Sequence, residues 1–246
     1  MNLKFILILG LPFISTSRKE FLEILSGHIN KQQKSFVVTA NPEIVMHSIE
    51  NDNYKENLDK ADYIIADGIG IVKASELAGT PLPERVSGYD VMTDLFQLSQ
   101  TKKHRVFLLG ATQPILEETV DTVLRKYPGI QIAGYQNGYF KRENDAEVVQ
   151  KIKDSDADMV FVALGCPLQE NWIADHIDQF EKGIFMGVGG GFDVLSGNVK
   201  RAPDSWIKLN LEWFYRFIKQ PSRWRRMLFL PKFAITIIYG KLFKKI

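Results

Sequence analysis

Asp67 is the residue of this 246-residue chain that is best placed to act as a base. It follows the apolar run Tyr63–Ala66, which predicts a buried strand, and it precedes Gly68. A carboxylate at the tip of a strand can accept a proton from a substrate hydroxyl. It can also cap a helix, here one that starts near Ile69, because aspartate accepts hydrogen bonds from free helical N–H groups. The local sequence leaves both interpretations open.

Glycine and small polar residues follow several other apolar runs. The glycine loop, residues 187–191, departs in spacing from the dinucleotide-binding and P-loop patterns, which argues against NAD binding and P-loop ATPase activity. Its backbone N–H groups could hold a phosphate or diphosphate, or the loop could be a structural turn. The strand-end residues predicted to bind a nucleotide or sugar are Asn41, Gly110, Gly165, Gly187, Gly189 and Asp193.

Arg85 is a second candidate for anion binding. It lies in the segment Pro83–Asp90, from which a guanidinium could bind a diphosphate through two hydrogen bonds. A surface salt bridge with Glu84 or Asp90 is the alternative interpretation.

We predict neither a catalytic metal nor a cofactor. The segment Asp154–Asp158 contains two D-x-D triplets, a pattern that holds a divalent cation in many sugar-nucleotide transferases. It precedes its strand, however, so we expect it at the far edge of the sheet from the ligand cleft. The histidines do not pair at ligand spacing. The single cysteine, Cys166, excludes a disulfide scaffold and has no adjacent histidine, so we expect it to pack rather than attack.

A sheet must bring these residues together. Over residues 1–200, short apolar runs alternate with amphipathic stretches, which predicts a Rossmann-like α/β fold with a mostly parallel sheet flanked by helices. The predicted strands are Lys4–Leu9, Ser35–Thr39, Tyr63–Ala66, Val106–Leu109, Ile130–Tyr135, Met159–Leu164 and Ile184–Val188. The predicted helices are Ser17–His28, Pro42–Glu50, Gly70–Leu77, Tyr89–Thr101, Pro114–Lys126, Asp145–Lys153 and Gln169–Phe180. Ligands bind beyond the carboxyl ends of such strands, so all the strand-end turns, including Gly10, are expected at one edge.

Charge divides the chain into two parts. Residues 200–246 carry 12 Lys and Arg against two acids, a net charge of +10, whereas residues 1–199 carry −8. We therefore predict a catalytic domain, residues 1–200, and a basic, amphipathic, helical C-terminal appendage, residues 201–246. A tail of this charge is expected to meet an anionic surface.

The composition of the tail favours lipid as that surface. From Arg216 onward aromatic residues are interspersed among nine Lys and Arg, and each cation near anionic lipid contributes about 1 kcal/mol. Nucleic acid would attract the same charges, but the apolar stretch Met227–Phe243 favours a membrane interface. That stretch is too short and too charged to span a bilayer. The apolar N-terminal run Phe5–Leu11 is interpreted as a strand rather than a signal peptide.

The order of the motifs along the chain resembles that of the WecG/TagA/CpsF glycosyltransferases. These bacterial enzymes build lipid-linked precursors of wall teichoic acids, enterobacterial common antigen and exopolysaccharides. The motifs that carry the resemblance are Thr39–Glu43, Ala66–Gly68, Arg85–Asp90, Leu108–Ala111, Gly138–Phe140, Leu164–Glu170, Gly187–Gly189, Phe192–Asp193, Lys200–Pro203 and Glu212–Arg216.

The resemblance implies an inverting, metal-independent transfer of an N-acetylhexosamine, typically N-acetylmannosamine or its uronic acid. The donor would be a UDP-sugar and the acceptor N-acetylglucosamine on undecaprenyl diphosphate. By the same resemblance Asp67 is the general base, Thr39 its close partner and Gln169 a donor-site residue. The acceptor diphosphate is expected at Arg85 and at the tail residues Arg216, Arg223 and Arg226. The tail would complete the active site on the cytoplasmic face of the membrane.

Three alternatives stay open at this point. The chain could use a different UDP-sugar, or it could be a non-enzymatic nucleotide-binding protein that docks on membranes, or its tail could bind nucleic acid. We expect a UDP-sugar, a polyprenyl-diphosphate-linked acceptor and an anionic membrane surface as partners, and no nucleic acid. Exposed apolar tail residues could also serve self-association, so a homo-oligomer is not excluded.

Overall fold

The structure, a computed structural model, describes residues 3–221 and 224–242 of the chain. Its strands are β1 (Phe5–Ile8), β2 (Leu11–Ile14), β3 (Lys34–Ala40), β4 (Tyr63–Ala66), β5 (Arg105–Gly110), β6 (Gln131–Gln136), β7 (Met159–Ala163) and β8 (Gly183–Gly187). They form one eight-stranded sheet in the order β1-β2-β4-β3-β8-β7-β5-β6. The β1–β2 pair is antiparallel, and the other neighbouring strands of the sheet run parallel.

Helices flank both faces of the sheet and continue into the tail. They are α1 (Arg18–Asn30), α2 (Pro42–Glu50), α3 (Asp52–Asp59), α4 (Ile69–Leu77), α5 (Gly88–Lys102), α6 (Gln113–Lys126), α7 (Asp145–Asp154), α8 (Leu168–His176), α9 (Gly191–Leu195), α10 (Asp204–Lys208), α11 (Glu212–Lys219), α12 (Trp224–Met227) and α13 (Phe229–Leu242). The predicted α/β class, with a mostly parallel sheet flanked by helices and a helical C-terminal segment, is confirmed.

The central strands supply side chains to two apolar layers, one on each face of the sheet. Phe36 and Val38 of β3 enter one layer, and Val37 between them enters the other. Successive side chains of a strand point to opposite faces, so a strand that is covered on both faces must be apolar throughout. This explains why these strands are near-continuous apolar runs in the sequence.

The N-terminal hairpin corrects one prediction. The chain turns sharply at Leu9 and Gly10, which have φ values of 48° and 84°, and Leu11–Ile14 returns as β2. Because β2 is parallel to β4, β1 runs in the opposite direction and ends at the other edge of the sheet. The expectation that Gly10 joins the ligand cleft is therefore wrong. The apolar run Phe5–Leu11, interpreted as a single strand, in fact contains the turn between two strands.

The C-terminal helices pack against the helices of the sheet domain. Phe233 and Ile237 of α13 are buried in the apolar layer that also includes residues of α2 and α4. Lys232 pairs with Glu50 at the end of α2. Across residues 3–221 and 224–242, the helices lack the combination of length and hydropathy that a bilayer crossing requires. The division into parts at residue 200 stays a prediction.

Candidate active site

A pocket of about 190 Å³ lies at the carboxyl ends of β3 and β4. The ends of β3 and β4 and the first turns of α2, α4 and α5 form the floor of the pocket, which we call the sheet wall. Opposite it, α11, α12 and the start of α13 form the tail wall. Three helix N-termini therefore face the same space, and each carries free N–H groups and a partial positive charge. Such a pocket is suited to an anionic ligand.

Asp67 lies at the floor of this pocket, directly after β4. Its Oδ1 accepts a hydrogen bond of 3.1 Å from the N–H of Gly88, the first residue of α5. Helix α4, which follows Asp67 in the sequence, begins after Gly68 without a side-chain cap. Asp67 therefore caps α5 rather than α4. Burial raises the pKa of Asp67, although the nearby Arg85 and Arg216 oppose the shift. A carboxylate of raised pKa is a stronger base at neutral pH.

Thr39 lies beside Asp67 on the neighbouring strand and is buried. Its Oγ1 donates a 2.8 Å hydrogen bond to the carbonyl of Gly187, which ties the end of β3 to the end of β8. A Cβ on Gly88 would lie 2.6 Å from the Thr39 methyl group, so the start of α5 rests directly on this side chain. Asn41, also in the pocket wall, caps α2 by accepting the N–H of Ile44.

Gln169 is buried behind the glycine loop rather than in the pocket wall. Its Oε1 accepts the N–H of Gly189 at 3.0 Å, and its Nε2 donates to Glu170 at 2.6 Å. Glu170 also accepts the hydroxyl of Tyr54 at 3.0 Å. Gln169 thus fixes the loop, while Val188 and Gly191 of that loop line the pocket. Neither Tyr54 nor Glu170 was predicted as a site residue, although Glu170 ends the motif Leu164–Glu170; Tyr54 carries no signal in the sequence.

Arg85 joins the floor of the pocket to the tail. Its Nε donates to the main-chain carbonyl of Asp67 at 2.5 Å, and its Nη2 lies 2.9 Å from the Glu212 carboxylate. The predicted salt-bridge partners are engaged elsewhere: Glu84 accepts the N–H of Arg18, and Asp90 pairs with Arg201. The alternative of a surface pair is therefore wrong in its partners, because the carboxylate comes from a helix 127 residues away.

Two of the three predicted tail arginines face the pocket. Arg216 pairs with Glu212 at 2.5 Å, and Arg226 lies 3.5 Å from Glu43 at the start of α2. The third, Arg223, lies outside the described residues. Glu212 is buried and was not among the predicted site residues, although it begins the motif Glu212–Arg216 and is one of only two acids in the tail sequence.

The chain matches the family model described as "Glycosyl transferase WecG/TagA/CpsF family" over residues 6–246. The chain belongs to the WecG/TagA/CpsF family of glycosyltransferases. The predicted resemblance is thereby confirmed, and the chain is an enzyme.

Curated relatives of this glycosyltransferase cover nearly its whole length. A protein of Bacillus spizizenii is 44% identical over 93% of this chain and 88% of its own length. One of Bacillus subtilis is 41% identical over 96% and 92%, and one of Staphylococcus aureus is 39% identical over 95% and 92%. Each is named N-acetylglucosaminyldiphosphoundecaprenol N-acetyl-beta-D-mannosaminyltransferase.

A second cleft of this glycosyltransferase, of about 520 Å³, opens at the ends of β5 and β7. Ala111, Tyr139 and Leu164 line it, next to the predicted donor residues Gly110 and Gly165. Neither glycine nor Gly187, Gly189 or Asp193 is part of the wall of the Asp67 pocket. Of the predicted strand-end residues, Asn41 lines the Asp67 pocket, whereas Gly110 and Gly165 lie next to residues of the second cleft.

The acidic triplets and the cysteine have structural partners in this glycosyltransferase. Asp156 and Asp158 pair with Lys182 at 2.8 and 3.4 Å, in the turn that precedes β7. In the ranges 3–221 and 224–242, His, Cys, Asp and Glu side chains do not gather in threes that could hold a metal ion. Cys166 lies 3.5 Å from the Tyr54 hydroxyl, and burial raises the pKa of its thiol.

Proposed function

We propose that this enzyme transfers N-acetylmannosamine, or its uronic acid, from a UDP-sugar to N-acetylglucosamine on a polyprenyl diphosphate. The names of the three relatives support this donor sugar and this acceptor. The observation that carries the mechanism is the Asp67 carboxylate, which faces a pocket surrounded by helix N-termini and by arginines from two parts of the chain.

In the proposed reaction Asp67 accepts the proton of an acceptor hydroxyl. The hydroxyl oxygen forms a bond to the anomeric carbon, the bond from that carbon to the diphosphate oxygen breaks, and UDP leaves with the electron pair. Attack from the face opposite the leaving group inverts the anomeric centre. Inversion of an α-linked UDP-sugar gives the β linkage that the relatives' names contain.

The charge that develops on the leaving UDP must be stabilised as the bond breaks. Helix N-termini and arginines can do this without a metal ion. We assign the donor to the side of the glycine loop, where Asn41, Gly110, Gly165, Gln169, Gly187, Gly189 and Asp193 shape the strand ends. Thr39 positions the floor of the pocket between donor and base: its hydroxyl donates to the carbonyl of Gly187 in the glycine loop, and its methyl group supports the start of α5.

We assign the acceptor diphosphate to Arg85, Arg216, Arg223 and Arg226. A lipid-linked acceptor requires the enzyme to work at a membrane surface, and the tail presents apolar side chains that are each at least 40% exposed: Trp213, Phe214, Ile218, Trp224 and Leu228. Together with the basic residues of the tail, these side chains support peripheral binding to anionic lipid. Flotation with anionic liposomes tests this, and sedimentation without lipid tests whether the same surface forms a homo-oligomer.

The Asp67→Asn variant tests the mechanism. With a short-chain lipid-diphosphate acceptor, we expect kcat to fall about 10²- to 10⁴-fold, the usual contribution of a general base, while UDP binding is retained. Asp59→Asn, at an exposed position at the end of α3, is the matched control and should turn over normally. Near-normal turnover of the Asp67 variant would eliminate it as the base.

A panel of UDP-sugars, assayed with and without EDTA, tests the rest of the proposal. We expect UDP-N-acetylmannosamine or its uronic acid to be used best and EDTA to leave the rate unchanged. Preference for another UDP-sugar would correct the donor. Loss of activity in EDTA, restored by a divalent cation, would overturn the metal-independent mechanism.

A further inference from the structure

Glu212 is a buried carboxylate that is shared by two arginines. Its Oε2 lies 2.9 Å from Nη2 of Arg85, and its Oε1 lies 2.5 Å from Nη2 of Arg216. Arg85 belongs to the floor of the pocket and Arg216 to the tail. The shared carboxylate therefore joins the two walls at one point. Arg216 and Arg85 lower the pKa of Glu212 in spite of its burial, so it stays charged.

Arg85 lies between two carboxylates, and the distances show which one holds it. Its Nη2 is 2.9 Å from Glu212 but 3.9 Å from Oδ1 of Asp67. The first distance is a charge-assisted hydrogen bond and the second is not a hydrogen bond. Burial raises the pKa of Asp67, and the nearby Arg85 only partly opposes that rise, since its guanidinium is bonded to Glu212.

The other charged groups around Asp67, Arg85 and Glu212 pair with one another. Facing Asp67 are Arg85, Arg216 and Glu212. Around Arg85 and Glu212 lie Asp90 and Arg201, which pair with each other at 2.7 Å. On the α2 side, Glu43 and Arg226 pair with each other at 3.5 Å. Glu212 is thus the carboxylate that forms a hydrogen bond with the Arg85 side chain in the described part of the site.

We propose that Glu212 is a positioning residue for the transfer reaction: it holds Nη2 of Arg85 away from the Asp67 carboxylate and so keeps that carboxylate available as the base. The proposal rests on the proposed role of Asp67. Without the Glu212 charge, Arg85 would turn toward Asp67 and form the closer ion pair. The paired carboxylate would then be a weaker base, because an adjacent opposite charge favours its ionised form.

The Glu212→Gln variant separates this role from simple docking of the tail. The acid limb of the pH profile of kcat/KM reports the base of the free enzyme. We expect this limb to move to lower pH by about one unit and kcat at the plateau to fall about tenfold. The KM for the acceptor should not rise, since the two arginines lose a competing anion.

Further variants guard against misinterpretation. Glu212→Asp keeps the charge on a shorter side chain, so it should recover most of kcat. Its acid limb should lie between those of the wild type and the Gln variant. It also serves as the test if the Gln variant does not fold. Asp204→Asn removes the other acid of the tail, which is exposed, and should leave the profile unchanged. In an Asp67→Asn background, Glu212→Gln should cause no further loss, because it acts through Asp67.

The outcomes distinguish the two proposals. An unmoved acid limb in both Glu212 variants, with a raised acceptor KM, would restrict Glu212 to docking the tail and overturn this inference, while the role of Asp67 would stand. If Asp67→Asn itself kept normal turnover and the wild-type acid limb, the proposed base would be wrong instead.

Discussion

The two walls of the active-site pocket are built in different ways. In the sheet wall, main-chain groups hold the functional side chains: Asp67 accepts the N–H of Gly88, and Thr39 donates to the carbonyl of Gly187. In the tail wall, Arg216 and Arg226 are held by carboxylates. The sheet wall rests on a core buried on both faces, whereas much of the tail surface is exposed apolar side chains.

This difference matches the two halves of the proposed reaction. Main-chain hydrogen bonds in a packed core fix Asp67 and the glycine loop at little cost of reorganisation, which suits the proposed chemical step. Ion pairs at a partly exposed surface are weaker and are screened by salt, so they can exchange one anion for another. We therefore expect the Arg226–Glu43 pair, the more exposed of the two, to exchange its carboxylate for the diphosphate of an incoming acceptor.

Gly110→Ala should destabilise the sheet on which the sheet wall rests and give the largest effect on stability. Gly110 ends β5 with φ of 125°, and a Cβ there would lie 2.4 Å from the carbonyl oxygen of Ala163. Because neither β5 nor β7 can move without disturbing the sheet, we expect the free energy of unfolding to fall by about 3 kcal/mol. Denaturation by urea, followed by circular dichroism, measures this loss.

Gly165→Ala is the matched control for that variant. Gly165 also has a positive φ, 78°, but a Cβ there would meet no atom within 4 Å. We expect a loss of only about 1 kcal/mol, from backbone strain alone. Equal losses for the two variants would show that the close approach of β5 and β7 is not what stabilises the sheet.

Arg226→Gln should weaken the tail wall without unfolding it. Removal of one guanidinium from the acceptor side should raise the acceptor KM about tenfold, the effect of one lost charge-assisted hydrogen bond. The KM for the UDP-sugar and the melting temperature should change little. The acceptor KM of the wild type should also rise with salt, and this salt dependence should be smaller in the variant.

Arg225→Gln provides the comparison at the neighbouring position. Arg225 lies over the Trp224 ring and is not part of the pocket wall. With a short-chain acceptor and no membrane, this variant should retain a normal acceptor KM. An equal effect of both substitutions would mean that general charge, rather than the pocket-facing arginine, attracts the acceptor.

The sheet wall could largely be predicted from the sequence, and the tail wall could not. Asp67 and Thr39 follow apolar runs whose pattern predicts buried parallel strands, and the ends of neighbouring parallel strands meet at one edge. Glu212 contacts Arg85 across 127 residues, and no local pattern encodes that pairing. The β1–β2 hairpin was missed because its turn, at Leu9 and Gly10, lies inside a single apolar run of the sequence.

Glu170, which is buried behind the sheet wall, was not predicted as a site residue, because its burial is not visible in the motif Leu164–Glu170. Its carboxyl is fully buried and accepts hydrogen bonds from Tyr54 and Gln169. Glu212 is buried too, but between two arginines. Burial raises the pKa of Glu170, whereas Arg216 and Arg85 lower that of Glu212. The pKa values of two buried glutamates thus shift in opposite directions: that of Glu170, behind the sheet wall, is raised, and that of Glu212, in the tail wall, is lowered.

Opposite pH dependences of stability should therefore distinguish Glu170→Gln from Glu212→Gln. A carboxyl with a raised pKa binds its proton more tightly in the folded state, so its contribution to stability falls as pH rises above the ordinary value of 4.5. Glu170→Gln should remove this penalty and gain about 1 kcal/mol at pH 8 relative to pH 5. Glu212→Gln should instead lose stability at neutral pH and lose less as pH falls through the lowered pKa. Urea titrations across this range measure both, and parallel curves for the two variants would refute the contrast between the walls.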